Sequence, residues 1–361
     1  MARLEEICSL ITDGSHFSPE DEGVGYPMFS VKDMTPNGFN ISGCKKIGEE
    51  AYKKLVANGC KPLNDDVVVA KDGSYLKTAF VIKGNPEIAL LSSIAILRPK
   101  IDLVVPEYLS YFLKSDAVYR TVSLNYITGT ALKRIILKGI RKIEVDLPDI
   151  GEQEQRAQRL SKVDYLCQLR KQQLDKLDEL VKARFVEMFG NKDYPRMKWN
   201  NVFNTTTGKL DSNAAVDNGK YPFFTCSKEP LKIDSYAFDQ TALLLAGNNA
   251  AGKYDVKYYQ GKFNAYQRTY VLSLKHNWSY KLFQYQLEDK LLYLQTKSLG
   301  GLTKYLTLKI LGELDFIVPP LALQNEFAAF VEHVDEQKQT VQQSLEKLEL
   351  MKKALMQEYF G

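Results

Sequence analysis

The segment of this chain that most resembles a catalytic device is a loop with the spacing of a phosphate-binding motif. Gly247 and Gly252 frame the loop, and Lys253 follows directly. In a nucleotide site of this type the next residue is Ser or Thr, which binds magnesium, and a helix follows whose amides hold phosphate. Here the next residue is Tyr254, and residues 254–266 are predicted to form a strand and a turn. The loop favours a nucleic-acid backbone contact or a plain surface turn over nucleotide hydrolysis.

The residue types used in metal and nucleophilic catalysis are present, but their spacing is unsuitable. His16, His276 and His333 are far apart in the sequence and form no metal-ligand pattern. The five cysteines include no C-x-x-C pair, which predicts reduced thiols in a cytoplasmic protein. The sequence has no G-x-S-x-G turn and no cofactor-binding glycine loop. We therefore expect a protein that is not an enzyme and that binds neither a metal nor a cofactor.

Two basic stretches without acidic residues are better candidates for binding. Residues 117–143 contain Lys and Arg, residues 290–311 contain Lys, and neither stretch contains Asp or Glu. Tyr and Thr are interleaved in both, with Asn in the first and Gln in the second. Basic side chains hold phosphates, whereas Arg, Asn, Gln and Thr can read base edges. The alternative is a solvated face with ordinary lysines. The composition thus permits nucleic-acid binding.

Further candidates come from a basic and aromatic cluster at residues 253–268 and from two loops that follow apolar runs. We select the DNA-binding candidates from all these segments. They are Lys71, Tyr126, Thr128, Thr130, Lys133, Arg134, Asn248, Lys253, Tyr266, Arg268, Lys297, Thr303 and Lys304.

An internal repeat indicates which elements position these residues. Residues 148–190 match residues 319–361 without a gap, at a constant offset of 171 residues. Weaker matches precede both copies, since residues 68–73 resemble residues 244–249 and the stretch ending in Lys133 resembles the one ending in Lys304. Internal repetition is a strong indicator of architecture. The chain is therefore predicted to consist of two diverged copies of one module.

Each repeated segment is predicted to be one long helix. Residues 152–189 contain neither Pro nor Gly, and their apolar residues recur at spacings of three and four. Such a helix must cover its apolar stripe, so we expect the two copies to pair as a coiled coil. Charged residues interrupt the seam at Arg170, Arg184, Lys338 and Lys352. Either they fix the register and the choice of partner, or they extend to water at the edge of the seam.

The regions before the two long helices are predicted to be α/β. Apolar runs at residues 66–70, 90–97 and 242–246 are typical of strands. The patterns at residues 107–119 and 280–295 are typical of short helices.

In combination, these motifs resemble the specificity subunit of type I restriction-modification systems. The resemblance covers the whole chain and rests on a motif that occurs twice: a glycine-rich stretch ending in Lys, a proline followed by Gln, and a long helix ending in Phe-Gly. It implies an α/β (α+β) fold with two pseudo-symmetric target-recognition domains, residues 1–147 and 191–318. It also implies that residues 148–190 and 319–361 are spacer helices packed as an antiparallel coiled coil.

The resemblance implies a function and partners as well. A protein of this family is a non-catalytic, cytoplasmic subunit that reads a bipartite, asymmetric site in double-stranded DNA. It positions methyltransferase subunits, two in number, and restriction subunits join the complex. The sequence itself predicts no membrane involvement, because no stretch approaches the roughly 18 apolar residues needed to span a bilayer. Partner docking is expected at matched residues of the two helices, which are Gln153, Gln324, Asp164, Asp335, Phe189 and Phe360. The alternative is a coiled-coil adaptor whose two α/β heads bind proteins.

Overall fold

A computed structural model describes residues 1–73, 76–128, 133–190, 192–250 and 252–361. The chain divides into two compact units. The first comprises Met1–Gln172 and Gln342–Gly361, and the second comprises Gln173–Val341. Each unit thus combines one predicted head with parts of both long helices. Within the ranges described, no helix is long and apolar enough to cross a membrane.

The first unit is built from short strands and helices that precede one long helix. Its strands are β1 (Ala2–Arg3), β2 (Cys8–Asp13), β3 (Tyr26–Phe29), β4 (Met34–Thr35), β5 (Gly38–Phe39), β6 (Lys45–Ile47), β7 (Val67–Ala70), β8 (Ala79–Val81), β9 (Ala89–Leu90), β10 (Ile94–Pro99), β11 (Ile127–Thr128), β12 (Arg134–Ile135) and β13 (Glu144–Val145). Its helices are α1 (Leu4–Ile7), α2 (Glu49–Ala57), α3 (Pro106–Leu113), α4 (Asp116–Asn125), α5 (Leu137–Arg141) and the start of α6 (Ile150–Phe185).

An antiparallel sheet in the order β2-β10-β7-β8 lies at the centre of the first unit. All four residues of β7 are buried, because its side chains enter a different core on each face. Val67 and Val69 pack in the core that includes α3, whereas Val68 packs with Phe29 and Leu90. This double burial explains why β7 is apolar at every position instead of alternating.

The second unit has the same arrangement of short elements. Its strands are β14 (Arg196–Lys198), β15 (Phe203–Thr207), β16 (Tyr221–Phe224), β17 (Leu231–Ile233), β18 (Phe238–Ala246), β19 (Asn248–Asn249), β20 (Val256–Ala265), β21 (Thr269–Leu274), β22 (Lys304–Tyr305) and β23 (Asp315–Ile317). Its helices are α7 (Trp199–Val202), α8 (Tyr280–Asp289), α9 (Leu291–Lys297), α10 (Leu308–Gly312) and the start of α11 (Leu321–Phe360).

The main sheet of the second unit has six strands in the order β15-β21-β18-β20-β16-β17. Its first three strands correspond to β2, β10 and β7 of the first unit, and β16 pairs in parallel with β20 as β3 does with β9. Trp199 and Phe283 are fully buried on this sheet and anchor its core. The diverged regions have therefore kept one topology, as the weak matches between them predict.

Two predicted short helices are each divided in the structure. Residues 107–119 contain the end of α3 and the start of α4, because the Ser115 side chain accepts a hydrogen bond from Val118 N and caps a new helix. Residues 280–295 likewise contain α8 and most of α9, which meet at Lys290. Helical periodicity predicted the elements correctly but not these breaks.

The long helices α6 and α11 pair in opposite directions within each unit. In the first unit, Lys352 Nζ lies 2.5 Å from Asp164 Oδ1, and Arg170 Nε donates to Ser344 Oγ at 3.2 Å. Residue numbers rise along one helix as they fall along the other. The antiparallel coiled coil is confirmed for this unit.

In the second unit the seam charges are paired in the same way. Lys338 Nζ lies 2.5 Å from Asp178 Oδ1, and Arg184 Nη2 donates to Glu326 Oε1 at 2.7 Å. Every charge that interrupts the seam therefore contacts a polar or acidic group on the other helix. Such cross-helix contacts favour a role in fixing the register over simple extension into water.

Candidate nucleic-acid interface

The first candidate surface forms where the loop after β7 meets the stretch that begins β12. Gly73 N donates to Lys133 O at 2.9 Å, and Ile135 N donates to Lys71 O at 3.0 Å. Between them, Asp72 and Arg134 form an antiparallel bridge. We call residues 71–73 and 133–135 the first tip. Two segments that the sequence singled out separately therefore lie side by side.

The three cationic candidates of the first tip differ in accessibility, and Lys133 is exposed. Lys71 is 7% exposed and forms an ion pair with Asp13, whose other carboxylate oxygen lies 3.7 Å from His16 Nε2. The Arg134 side chain is 52% exposed, and its Nε lies 3.9 Å from Asp72 Oδ1. Arg134 is thus available to a ligand, whereas Lys71 has an internal partner. DNA contact by Lys71 stays a prediction that its burial does not favour.

The second candidate surface repeats this pairing in the second unit. Asn248 lies opposite Tyr305 and Asn249 lies opposite Lys304, while Leu306 N donates to Gly247 O at 2.8 Å. We call residues 247–249 and 304–306 the second tip. Each tip joins the loop after the central strand to the glycine-rich stretch before the long helix.

A neighbouring side chain holds Asn248 of the second tip in place, and further polar groups lie beside this tip. Cys226 Sγ donates to Asn248 Oδ1 at 2.7 Å, and Gln267 Nε2 donates to Asp211 Oδ2 at 3.1 Å. Arg268 accepts a hydrogen bond from Gly247 N through its carbonyl oxygen, and its side chain is exposed. The surface therefore offers amide and guanidinium groups, the types that recognise bases and phosphates.

Asp13, His16, Cys226, Asp211 and Gln267 were not among the candidates that the sequence suggested. Asp13, at the end of β2, and Cys226 each contact a tip residue that is distant in the sequence. His16 pairs with Asp13, and Gln267, next to Arg268, pairs with Asp211. No spacing rule connects them. Only Gln267 lies in a segment that the sequence singles out, the basic and aromatic cluster at residues 253–268.

The other DNA-binding candidates are distributed around the tips. Lys253 is exposed, and its backbone N lies 3.4 Å from Asn249 Oδ1. Thr303 is exposed immediately before β22, and Tyr266 follows β20 and bridges to Leu210. Lys297 ends α9, where its Nζ lies 5.5 Å from the centre of the Tyr293 ring. These positions are compatible with nucleic-acid contact and stay predictions.

Three candidates belong to the region that precedes the first tip. Tyr126 is half-buried at the end of α4 and packs against the core. Thr128 lies on β11 opposite Arg134. Thr130 falls outside the described residues.

In its described part, residues 247–250 and 252–253, the loop that resembles a phosphate-binding motif lacks the architecture of a nucleotide site. Its first residues form β19, and the next regular element after Lys253 is the strand β20. A phosphate-binding loop needs a helix there, because helix amides and the helix dipole hold the phosphates. Residues 247–249 instead belong to the second tip, and contact of this loop with a nucleic-acid backbone stays a prediction.

A close backbone approach supports the loop beside each tip. A Cβ atom added at Gly208 would lie 1.7 Å from Ala265 O, and one added at Gly14 would lie 2.1 Å from Leu90 O.

We expect Gly208→Ala to destabilise the second unit by about 2–3 kcal/mol, because the backbone must move. Urea denaturation followed by amide hydrogen exchange around residues 265–268 checks this. Gly312→Ala is the control, since its Cβ meets nothing within 4 Å; equal effects of both variants would contradict the steric explanation.

Four of the six partner-docking candidates are buried in their own unit. Gln153 and Gln324 are each 1% exposed, and their Oε1 atoms accept hydrogen bonds from Val105 N and Ser279 N at 2.9 Å and 3.0 Å. Each amide also donates to the proline carbonyl five residues earlier. The glutamines thus join the first turn of each long helix to the head. Their burial does not favour docking.

The phenylalanine candidates are also core residues. Phe189 packs against Phe327, with ring centres 5.7 Å apart, and Phe360 packs against Tyr108 at 5.2 Å. These contacts explain the repeated Phe-Gly ending, since each Phe closes the core of the unit in which its helix ends. Docking by Phe189 and Phe360 stays a prediction that their burial disfavours.

Asp164 and Asp335 remain the more accessible docking candidates, and each lines a cavity. Asp164 accepts a hydrogen bond from Tyr111 Oη at 2.9 Å beside a cavity of about 450 Å³. Asp335 Oδ2 lies 2.9 Å from Lys281 Nζ beside a cavity of about 650 Å³. Because Asp164 and Asp335 occupy matching positions of the repeat, the two cavities are equivalent features of the two units.

One lysine in the first cavity is held in an unfavourable environment. Burial, together with the nearby charge of Lys352, lowers the pKa of Lys114 to about 8. The unfolded chain therefore binds more protons between about pH 8 and the ordinary value of 10.5. The contribution of Lys114 to the free energy of unfolding therefore rises with pH within this window. Below the window, where the buried lysine is charged, that contribution is at its lowest.

We expect Lys114→Met to stabilise the first unit at pH 7 by about 1–2 kcal/mol, because it removes a poorly solvated charge. The gain should shrink as the pH rises above about 8. Urea denaturation between pH 7 and pH 9.5 measures both effects. Lys353→Met, which removes an exposed lysine of the same cavity, is the matched control. A gain that does not change with pH would contradict the charge explanation.

Comparisons with known proteins agree with the fold and the repeat. The family model described as Type I restriction modification DNA specificity domain matches residues 1–179 and again residues 191–350. The chain therefore belongs to the family of type I restriction-modification DNA specificity domains. Each match covers one head and most of the long helix that follows it.

Two curated proteins are similar over parts of the chain. The type I restriction enzyme EcoDI specificity subunit of Escherichia coli is 51% identical over 80 residues, which are 22% of this chain and 17% of that protein. The putative type I restriction enzyme MjaX specificity subunit of Methanocaldococcus jannaschii is 22% identical over 194 residues, 52% of this chain and 44% of that protein. The matches span less than half the length of either relative.

Solved structures share the fold at low sequence identity. The S subunit of the type I restriction-modification system from M. genitalium has a TM-score of 0.62 at 16% identity, and the match covers 100% of this chain and 95% of that one. A chain from a study of complex assembly and conformational transition of the type I R-M system has a TM-score of 0.51 at 16% identity, with coverage of 99% and 96%. The predicted architecture of two heads and two long helices is thereby confirmed.

Proposed function

We propose that this chain is the non-catalytic, cytoplasmic specificity subunit of a type I restriction-modification complex. It binds double-stranded DNA and reads a bipartite site, one half with each head. The observation that carries the proposal is the pair of tips: both are built by the same backbone pairing but present unlike side chains. One topology with two different reading surfaces suits a target whose two halves differ.

The heads correspond to residues 1–147 and 191–318, and the helices at residues 148–190 and 319–361 serve as spacers. Methyltransferase subunits, two in number, dock on the helical modules, and restriction subunits join that core. The equivalent cavities beside Asp164 and Asp335 support two docking sites at matching places of the repeat. Positioning the methyltransferase on the recognised site is the output of the chain.

Binding of the chain with its methyltransferase subunit to duplex DNA at several salt concentrations tests DNA recognition. Phosphate contacts release counterions, so the logarithm of the binding constant should fall linearly with the logarithm of the salt concentration. A flat plot would exclude DNA binding and leave the protein-adaptor alternative.

Replacement of residues 191–318 with the head of another specificity subunit tests the two-reader arrangement. Methylome sequencing should then show a change in one half of the bipartite motif only. Changes in both halves would mean that the heads do not read independently.

A further inference from the structure

One structural position of the two tips carries side chains of contrasting chemistry. In the first tip Asp72 bridges Arg134, and in the second tip Asn248 lies opposite Tyr305. Asp72 and Asn248 both follow the central strand of their unit by two residues. Arg134 and Tyr305 both precede a long helix at the offset of the repeat. The two tips thus share one backbone arrangement but carry different side chains in it.

Resting on the proposed function, we infer from these tip residues which base each tip recognises in its half of the target. Arg134 of the first tip reads a guanine, and Asn248 of the second tip reads an adenine. Asp72 and Cys226 act as positioning residues for these two readers. The first half-site therefore contains a G·C pair at the position read by Arg134, and the second contains an A·T pair at the position read by Asn248.

The geometry of the first tip assigns the reading role to Arg134 and the positioning role to Asp72. The arginine side chain is 52% exposed, whereas that of Asp72 is 19% exposed. The carboxylate lies 3.9 Å from the arginine Nε, which is an ion-pair distance longer than a hydrogen bond, so Asp72 orients the guanidinium without taking up its hydrogen-bond donors. A guanidinium presented in this way matches the O6 and N7 acceptors of guanine, its most frequent specific partner in the major groove.

In the second tip, the amide side chain of Asn248 occupies the place that Asp72 has in the first tip. Cys226 Sγ donates to Asn248 Oδ1 at 2.7 Å, so the thiol fixes the orientation of the amide. One lone pair of Oδ1 remains for the N6 amino group of adenine, and Nδ2 donates to adenine N7. The backbone of Asn248 is fixed as well, because β19 pairs with β22. Preorganisation of this kind lowers the entropy cost of recognition.

The test uses the full chain expressed with its methyltransferase subunit, with the bipartite motif read by methylome sequencing and by selection from random duplexes. The wild-type motif should contain a guanine in one half-site, and Arg134→Gln should relax the preference at that position. The discrimination between guanine and the other bases there should fall by about 5- to 150-fold. Asn248→Ala should relax an adenine position in the other half-site to a similar extent. The untouched half-site of each variant reports that the protein still folds and assembles.

The positioning roles have their own readouts. Cys226→Ala should relax the same adenine position as Asn248→Ala, and Cys226→Ser should restore it, because a hydroxyl also donates to the amide oxygen. Asp72→Ala should relax the Arg134 position, with partial restoration by Asp72→Glu. Lys53→Gln is the control, since that lysine pairs with Glu49 on its own helix, and it should leave the motif unchanged.

The outcomes separate this inference from the function on which it rests. Absence of any bipartite motif or specific binding for the wild-type complex would overturn the proposed function itself. A wild-type motif that Arg134→Gln and Asn248→Ala leave unchanged would overturn only the assignment of readers. Relaxation at a base other than guanine or adenine would overturn the assigned base pairs.

Discussion

Replacing Arg98 with serine should cost about 3–5 kcal/mol of the free energy of unfolding of the first unit. Asp66 is fully buried, and its two carboxylate oxygens accept hydrogen bonds from Arg98 Nε and Nη2, both at 2.8 Å. Leu63 N also donates to this carboxylate at 2.8 Å. The substitution leaves a buried negative charge without its cation, which is among the most costly changes in a protein interior.

The second unit provides the matched control for this prediction. The strand register places Ala242 and Ser273 where the first unit has Asp66 and Arg98. The double variant Asp66→Ala, Arg98→Ser therefore gives the first unit the Ala and Ser side chains that the second unit has at the same places of its sheet. It should be more stable than Arg98→Ser alone, because the uncompensated charge is gone. Urea denaturation and hydrogen exchange of β7 and β10 amides measure both variants; a double variant no better than the single one would contradict the charge argument.

Neutralising the cations around the second tip should weaken DNA binding strongly. The variant Lys253→Gln, Arg268→Gln, Lys304→Gln removes three candidate phosphate or base contacts, so the slope of the salt dependence should become less steep by about 3. If the binding curves of variant and wild type converge near 1 M salt, affinity at 0.1 M falls on the order of 10²–10³-fold. Titration of a duplex carrying the target with the assembled complex measures this effect.

A second triple variant controls for the loss of charge as such. Lys192, Lys198 and Lys275 are exposed lysines of the same unit outside the tip and outside the basic stretches, and Lys198 pairs with Asp315 at 2.9 Å. Their replacement with Gln removes the same total charge. It should leave the salt slope nearly unchanged. Equal losses in both variants would mean that the second tip is not the DNA-binding surface.

The long helices and their pairing were predictable because helix signals are local. The repeat at an offset of 171 residues, the absence of Pro and Gly between residues 152 and 189, and the regular apolar spacing all occur within one segment. The central strands β7 and β18 were predictable for the same reason, since a fully buried strand has a continuous apolar run. The break between α3 and α4 was missed, because the Ser115 cap interrupts an otherwise helical pattern.

The candidate surfaces were predictable only in part. Composition singled out the loops at residues 71–73 and 247–249 and the stretches ending in Lys133 and Lys304, but not that each loop pairs with one stretch. Nor did it show that Lys71 is neutralised internally by Asp13. A lysine in a polar loop has the same sequence signature whether it faces solvent or an acid from another strand.

By itself, the sequence determined that this protein consists of two diverged copies of one module, each with an α/β head and a long helix. Periodicity and repetition are properties of the chain and need no knowledge of contacts. The tertiary structure alone decided which polar residues are internal and which are presented. It buried Gln153 and Phe360 and brought Asp72 to Arg134 and Cys226 to Asn248. Those pairings depend on the sheet register, which brings together side chains separated by 22 to 62 residues.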